Sequence, residues 1–290
     1  MKTVRTSSGL SVRRLALAFD EPVSTVGRWI QAPKPKGKNP RRCPVSGDPA
    51  LRSKIKDLCE VPRHQTFGHR FICALLRRDG IRINRKTVLR VMKSMGYTQS
   101  RVFRKRGRPK RVEKMRPDCA NTAWQIDMTS FQLSDLTPAY LVTVVDCFTR
   151  QIVGWTLDRR CRATEWTAAA RQALETRGLT SKDLCKDLVL RSDNGSQPCS
   201  KRFVEFLSQC GVKGQYTGYN APDDNAYVER VIRTIKEEEV WGNDYDTFSE
   251  ARDAISEYVR FYNGDRPHSS LDYRTPDEAD RETRVTLKAA

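Results

Sequence analysis

A mixed α/β domain preceded by small all-helical units is the fold class that this sequence predicts, and three observations predict it. Up to about residue 100 the apolar residues recur at helical spacing. From residue 120 onward, runs with strand character alternate with helical stretches, and a short, densely basic segment separates the two regions. Charge follows the same division. Residues 1–120 hold 31 Lys and Arg against 8 Asp and Glu, a net +23; the remaining 170 hold 22 against 27, a net −5, and together they give the formal +18. So one-sided an amino-terminal part points to polyanion binding.

The 290 residues suffice for one large domain or two small ones with an ordinary core. No run of about 18 apolar residues occurs, the longest stretch being "AYLVTVV", and the start "MKTVRTSSGLSVRR" lacks a secretory h-region. Nine cysteines without a C-x-x-C pair fit reduced thiols better than a disulfide framework. The three histidines, His64, His69 and His268, do not complete a zinc finger, although "RHQTFGHRFIC" resembles half of one. The chain therefore reads as a soluble cytoplasmic protein with no membrane partner.

Residues 11–30 read as two short helices, the second capped by Ser24, with Leu15, Leu17 and Ala18 packing against Val26 and Trp29 or Ile30. A Pro-, Gly- and Lys-rich linker follows. Three more helices come next. Leu51, Ile55 and Leu58 mark the first, Phe71, Ala74 and Leu75 the second, which stops at Gly80. Asn84 caps the third, which turns Val88, Val91 and Met92 inward and ends at Gly96. The third also carries Arg85, Lys86, Arg90 and Lys93, which suits a helix-turn-helix presenting a basic helix to DNA; a helical hairpin with a charged solvent face is the alternative. The basic connector "RVFRKRGRPKRVEKMR" adds Arg104, Lys105, Arg106, Arg108 and Lys110 as DNA contacts, and its "RGRPK" matches a minor-groove hook or, more simply, a phosphate-binding linker.

Beyond residue 120, "TAWQIDMTSFQL", "AYLVTVVDCFTR" and "QIVGWTLD" read as three successive strands, then "ATEWTAAARQALETRG" as a helix ended by Gly178. "DLVLRSD" is a strand, "SKRFVEFLSQCG" a helix, "VKGQYTG" a strand, and two helices close the domain. Three strands, then helix, strand, helix, strand, helix is the order of a ribonuclease-H-like α/β domain.

Within it, Asp127 stands inside a strand, where a carboxylate is costly unless paired or bound to a cation. Asp193 ends an apolar strand, where ligand sites of α/β sheets collect, although the following Asn-Gly also explains it as a turn. Glu229 follows after 35 intervening residues. On a helix over 225–238, Val228, Val231, Ile232 and Ile235 form an apolar stripe with Glu229, Arg233 and Lys236 along one edge. An i,i+4 pair between Glu229 and Arg233 is the plain alternative. Glu237 falls on the opposite side, Glu238 and Glu239 where the helix frays, and Asp223 and Asp224 serve as caps. Two strand aspartates and a helix glutamate make an oxygen cage for hard divalent cations, suited to in-line phosphoryl transfer, with Arg233 and Lys236 steadying a DNA phosphate.

The motifs resemble those of the OrfB-type transposases of the third insertion-sequence family, within the DDE transposase and retroviral integrase superfamily. "WQIDMT" resembles its first-aspartate motif, "VVDCFTRQIVGW" the next strands, "RSDNGSQ" the second-aspartate motif, "PDDNAYVERVIRTIKEE" the glutamate helix, and "YNGDRPHSSLDYRTPDE" the tail. "FGHRFICALLRRDGIRINRKTVLRVMKSMG" resembles the family's helical DNA-binding segment. Ile126, Asn194, Pro198 and Arg230 depart from the commoner residues, and none removes a carboxylate.

The resemblance implies a ribonuclease-H-like integrase catalytic core at 119–265 with a tail at 266–290. Before these come a helical unit at 1–31, a linker at 32–48, a DNA-binding unit at 49–100 and a basic linker at 101–118. It implies catalysis by Asp127, Asp193 and Glu229 through two magnesium ions, manganese substituting, Asp127 bridging both. It implies cleavage and strand transfer at element ends and target, by homo-oligomers on paired ends, in a bacterial nucleoid, with an upstream frame often adding a further DNA-binding region. Two rival functions stand beside it: a nuclease of the same fold that only hydrolyses, and a catalytically silent DNA-binding derivative.

Overall fold

The computed structural model describes residues 11–20, 22–23, 25–26, 48–98, 117–179, 185, 187–217 and 225–289. Ser24, Trp29, Ile30, Asp223 and Asp224, and the connector residues Arg104, Lys105, Arg106, Arg108 and Lys110, lie outside them. The chain divides into two compact units, Met1–Asp48 and Pro49–Ala290.

In the first unit, Ser11 accepts a hydrogen bond from the Arg14 amide and so starts helix α1, Val12–Ala18. Leu15, Ala16 and Val26 form its small apolar cluster. Leu17, expected inside, is 83 % exposed. The reason is geometric, because residues two apart on a helix point to different faces.

The second unit begins with three helices, α2 (Pro49–Glu60), α3 (His69–Arg78) and α4 (Arg85–Ser94), which pack on one another. Asn84 caps α4 by accepting from the Lys86 amide at 2.9 Å, and Gly80 and Gly96 take the left-handed conformation just past α3 and α4. Val88, Val91 and Met92 are buried as expected, but α2 buries Cys59 rather than Leu58. In α3 the inward stripe is Ile72, Cys73 and Leu76, not Phe71, Ala74 and Leu75. Phe71 is used elsewhere. Its ring meets Phe67, Tyr273 and the guanidinium of Arg266, which join the helical unit to the carboxyl-terminal tail.

A five-stranded sheet of order β3-β2-β1-β4-β5 forms the centre, built from β1 (Ala123–Gln132), β2 (Pro138–Asp146), β3 (Ile152–Asp158), β4 (Val189–Ser192) and β5 (Lys213–Tyr216). The first three strands are antiparallel, and β4 and β5 run parallel to β1. Side chains alternate across the sheet. Trp124, Ile126, Val142 and Val144 face helices α5 (Ala163–Arg177) and α6 (Lys201–Cys210). Leu141, Val145 and Leu157 face α7 (Ala226–Glu238) and α8 (Phe248–Gly264). Helix α5 presses so closely on β3 that a Cβ at Gly154 would stand 2.3 Å from the Ala169 carbonyl oxygen; only glycine fits.

The tail, which sequence patterning left without a physical account, closes the unit. Asn263 pairs its side-chain amide with both backbone groups of Ile152, at 2.9 Å each, as a short substitute for a strand. Arg266 forks onto Glu238 at 2.6 and 2.7 Å and lies over Phe67, Phe71 and Tyr262. His268 sets its ring against Tyr262 and its backbone against Arg274, ahead of α9 (Pro276–Ala289). Glu238 and Glu239, expected in a fraying end, are instead buried. Arg266 takes the first; Arg63 and Tyr245 approach the second.

Candidate functional site

Alternation along β1 decides where its polar residues go. Trp124 and Ile126 point toward α5 and α6, so Gln125 and Asp127 point toward α7. Gln125 is 1 % exposed, and its Oε1 accepts hydrogen bonds from the Tyr227 and Val228 amides at 3.0 and 3.1 Å. Those amides belong to the first turn of α7 and have no partner within the helix. Asn225, the residue before the helix, donates back to the Ile126 carbonyl at 3.4 Å. One turn of helix is thereby fastened to the two strand residues just before Asp127. Glu229 follows within the same turn, exposed, while Val228, Val231, Ile232 and Ile235 bury the apolar stripe beneath it.

The third carboxylate comes from the end of β4. Because β4 is parallel to β1, with Arg191 beside Gln125, its carboxyl end opens on the same edge of the fold. Asp193 is exposed there and accepts from the Gly195 amide at 3.3 Å. Asn194, one of the departures from the family pattern, donates to the Thr217 carbonyl at 2.8 Å and ties the turn to the end of β5.

These three groups share a field. The pKa of Asp127 is raised to about 6, first by burial and then by the negative charges of Asp193 and Glu229, against a lowering hydrogen bond from the Met128 amide. A half-buried carboxylate facing two others, with no histidine or cysteine in the set, has the donor chemistry of a hard divalent cation site. Among the described residues, however, no three His, Cys, Asp or Glu side chains are gathered at chelating distance. The trio is assembled to the range of mutual repulsion, not to that of a closed cage.

The supporting cations are distributed differently from the sequence expectation. Arg233 pairs with Glu237, Nε to Oε1 at 2.6 Å, rather than with Glu229. Both carboxylates stand four residues from it, and Glu237 takes the guanidinium. Lys236 is half-buried. On α4, Arg85, Lys86, Arg90 and Lys93 are all exposed. Arg85 also borders a concavity of about 340 Å³ with Arg70, Arg77 and Arg78 of α3, arginines that helical patterning did not single out. Gln125 and Asn225 were equally missed; the only signal was a glutamine flanked by the apolar Trp124 and Ile126 near the start of the strand.

Comparison with known proteins gives concordant matches along the chain. Residues 48–106 match the model of an HTH-like domain, and residues 117–221 and 210–276 match two models of an integrase core domain. The transposase for insertion sequence element IS904 of Lactococcus lactis is 30 % identical over 243 residues, which is 80 % of this chain and 93 % of that one. An uncharacterized 31.7 kDa protein of insertion element IS407 from Burkholderia multivorans is 27 % identical over 240 residues, 82 % of this chain and 83 % of its own. In structure, a chain of the simian T-cell lymphotropic virus intasome aligns with a TM-score of 0.50 at 18 % identity, covering 71 % of this chain and 73 % of that one, a likeness of fold.

Proposed function

Since the chain belongs to the DDE-type insertion-sequence transposases with an integrase core domain, enzymes of DNA transposition, we propose that Asp127, Asp193 and Glu229 are its catalytic carboxylates. The observation that carries this reading is the convergence of three elements on one negative field, in which the charges of Asp193 and Glu229 help to raise the pKa of Asp127.

Asp127, Asp193 and Glu229 would hold magnesium, with manganese as a substitute and two ions as the full complement. Bound there, the metal would activate the attacking oxygen and stabilise the leaving one in an in-line displacement at phosphorus. The chain's own part is positional. Gln125 and Asn225 hold the start of α7 to β1, so that Glu229 is presented beside Asp127. The Asn194 bond to Thr217 steadies the turn carrying Asp193. Arg85, Lys86, Arg90 and Lys93, with Arg70 and Arg77 beside them, offer the phosphate-binding surface for element-end DNA, while Arg78 is held by Glu278; a homo-oligomer on paired ends is the assembly that would bring two ends together.

The test is incubation of the protein with magnesium or manganese and labelled DNA from both flanks of its gene, products being mapped to the nucleotide. Joined strands that vanish in both Asp193→Asn and Glu229→Gln support the reading. Cleavage without joining points to a hydrolytic nuclease, and activity that survives both substitutions removes the carboxylate assignment. For the basic helix, Lys93→Gln is expected to lower the slope of log affinity against log salt by about one.

A further inference from the structure

Between the first turns of α7, the 3-10 turn Ser269–Leu271 of the tail and Phe71 of the helical unit lies a cavity of about 310 Å³. Ligand sites start at roughly this size. Arg150, Arg230, His268, Ser269 and Ser270 line it, and no Asp or Glu is among its described lining residues. Two atoms of that lining are buried without a hydrogen-bond partner among the described residues, Arg150 Nη1 and His268 Nε2. His268 is only 8 % exposed, and the Arg150 guanidinium lies 3.7 Å from the centre of the Tyr227 ring. Buried polar groups are nearly always satisfied, so two orphans at one cavity mark a place where a ligand completes the bonding.

The two atoms ask for different partners. Arg150 Nη1 donates and carries charge, so it calls for an anionic acceptor, and Arg230 adds a second guanidinium. His268 is neutral, its pKa lowered to about 3 by burial first and by Arg266 second. Its other ring nitrogen is engaged by the Tyr262 backbone, which leaves Nε2 with a lone pair that calls for a donor. A nucleotide supplies both: phosphate oxygens for the guanidinium groups and a base N–H for the imidazole. The Tyr262 and Phe71 rings in the wall offer apolar surface to the base.

We propose that this cavity receives one nucleotide of a DNA strand, with its phosphate on Arg150 and Arg230 and its base edge on His268. The proposal rests on the transposase reading for the identity of the strand. The cavity's place follows from Ala226, Tyr227 and Arg230, which line it and bracket Glu229. A strand held here is anchored beside the catalytic trio without touching it.

The test reads binding alone, with the full chain in the absence of divalent metal, where no strand is cut. It therefore succeeds or fails independently of the carboxylate assignment. Flank DNA carrying a single neutral methylphosphonate, moved one phosphate at a time, is titrated by fluorescence anisotropy. Wild type is expected to lose affinity at one position by about threefold or more. An abasic sugar beside that phosphate weakens binding as well. Arg150→Gln, and independently the exposed-site variant Ser270→Asp, are expected to erase sensitivity at that position while keeping it elsewhere, and Arg150→Gln to lower the salt slope by about one. An unchanged scan in both variants overturns the proposal. A free deoxynucleoside monophosphate that binds wild type but not Arg150→Gln, beside an unchanged scan, overturns the strand as occupant in favour of a free nucleotide.

Discussion

Helix α7 carries a glutamate at each end, and the two live in opposite surroundings. Glu229 in the first turn is exposed and adds to the field that keeps the Asp127 pKa high. Glu238 in the last turn has a side chain only 5 % exposed, takes both arms of Arg266 and accepts from the Tyr258 hydroxyl at 2.8 Å. The strands repeat the contrast. Asp146, fully buried, accepts from the Asn121, Phe148 and Thr149 amides and from the Trp124 indole, whereas Asp127 has one backbone donor, Met128. A carboxylate surrounded by donors is a fastening of the fold. One facing other carboxylates is harder to ionise, and a cation relieves that repulsion.

The largest expected effect lies at the open end of the comparison. Glu229→Gln or Asp193→Asn should reduce strand cleavage and joining by about a thousandfold or more, as loss of a metal ligand worth several kcal/mol requires. The melting temperature should hardly move, since both residues are exposed. A large fall in melting temperature would make them structural. At the closed end the pattern reverses. Glu238→Gln strips the carboxylate from a buried arginine, which costs about 3–5 kcal/mol and lowers the melting temperature by roughly 10 °C. The double replacement Glu238→Leu with Arg266→Met should recover part of that loss, because a buried pair removed whole leaves no unpaired charge.

The neighbouring histidine gives a smaller, pH-dependent effect. The folded pKa of His268 is about 3 against an ordinary 6.5, so its stabilising contribution is complete above pH 6.5. That contribution is lost as pH falls toward 3, by up to about 1.4 kcal/mol per pH unit. Thermal melts between pH 7 and pH 4 should show a shallower acid slope in His268→Gln than in wild type. Parallel slopes would mean that this ring does not report the closed end. The smallest effect is that of Gln125→Leu, about 1–2 kcal/mol of stability from two uncapped amides. Its diagnostic is kinetic: the joining rate falls about tenfold, the loss expected from about 1.4 kcal/mol of misplacement, while DNA affinity is retained. Gln125→Glu, which keeps an acceptor, restores most of the rate. Equal losses in the two variants would make Gln125 mere core.

Much of this was legible in the sequence because it depends on periodicity and punctuation. The stripe of Val228, Val231, Ile232 and Ile235, the Asn84 cap and the stops at Gly80, Gly96 and Gly178 are local signals, and the structure follows them. The positions of Asp127 in a strand, Asp193 at a strand end and Glu229 on a helix were read the same way. What escaped depends on contacts between distant residues. Glu238 looked like a fraying terminus because Arg266, 28 positions away, is invisible from it. Phe71 reads as core because its partners, the Arg266 guanidinium and the Tyr273 ring, belong to the tail. Gln125 carries no periodic or capping signature of its own, since it caps a helix that begins about 100 residues later.

That last contact has a consequence for the register of α7. A helix ordinarily takes its starting point from the residues that lead into it. Here the start is dictated from β1, by a glutamine that holds the Tyr227 and Val228 amides and by Asn225, which reaches back to Ile126. The register of Glu229 is thereby inherited from β1, the strand that also carries Asp127. Two of the three carboxylates thus share one frame of reference, and a displacement of that strand would carry both together.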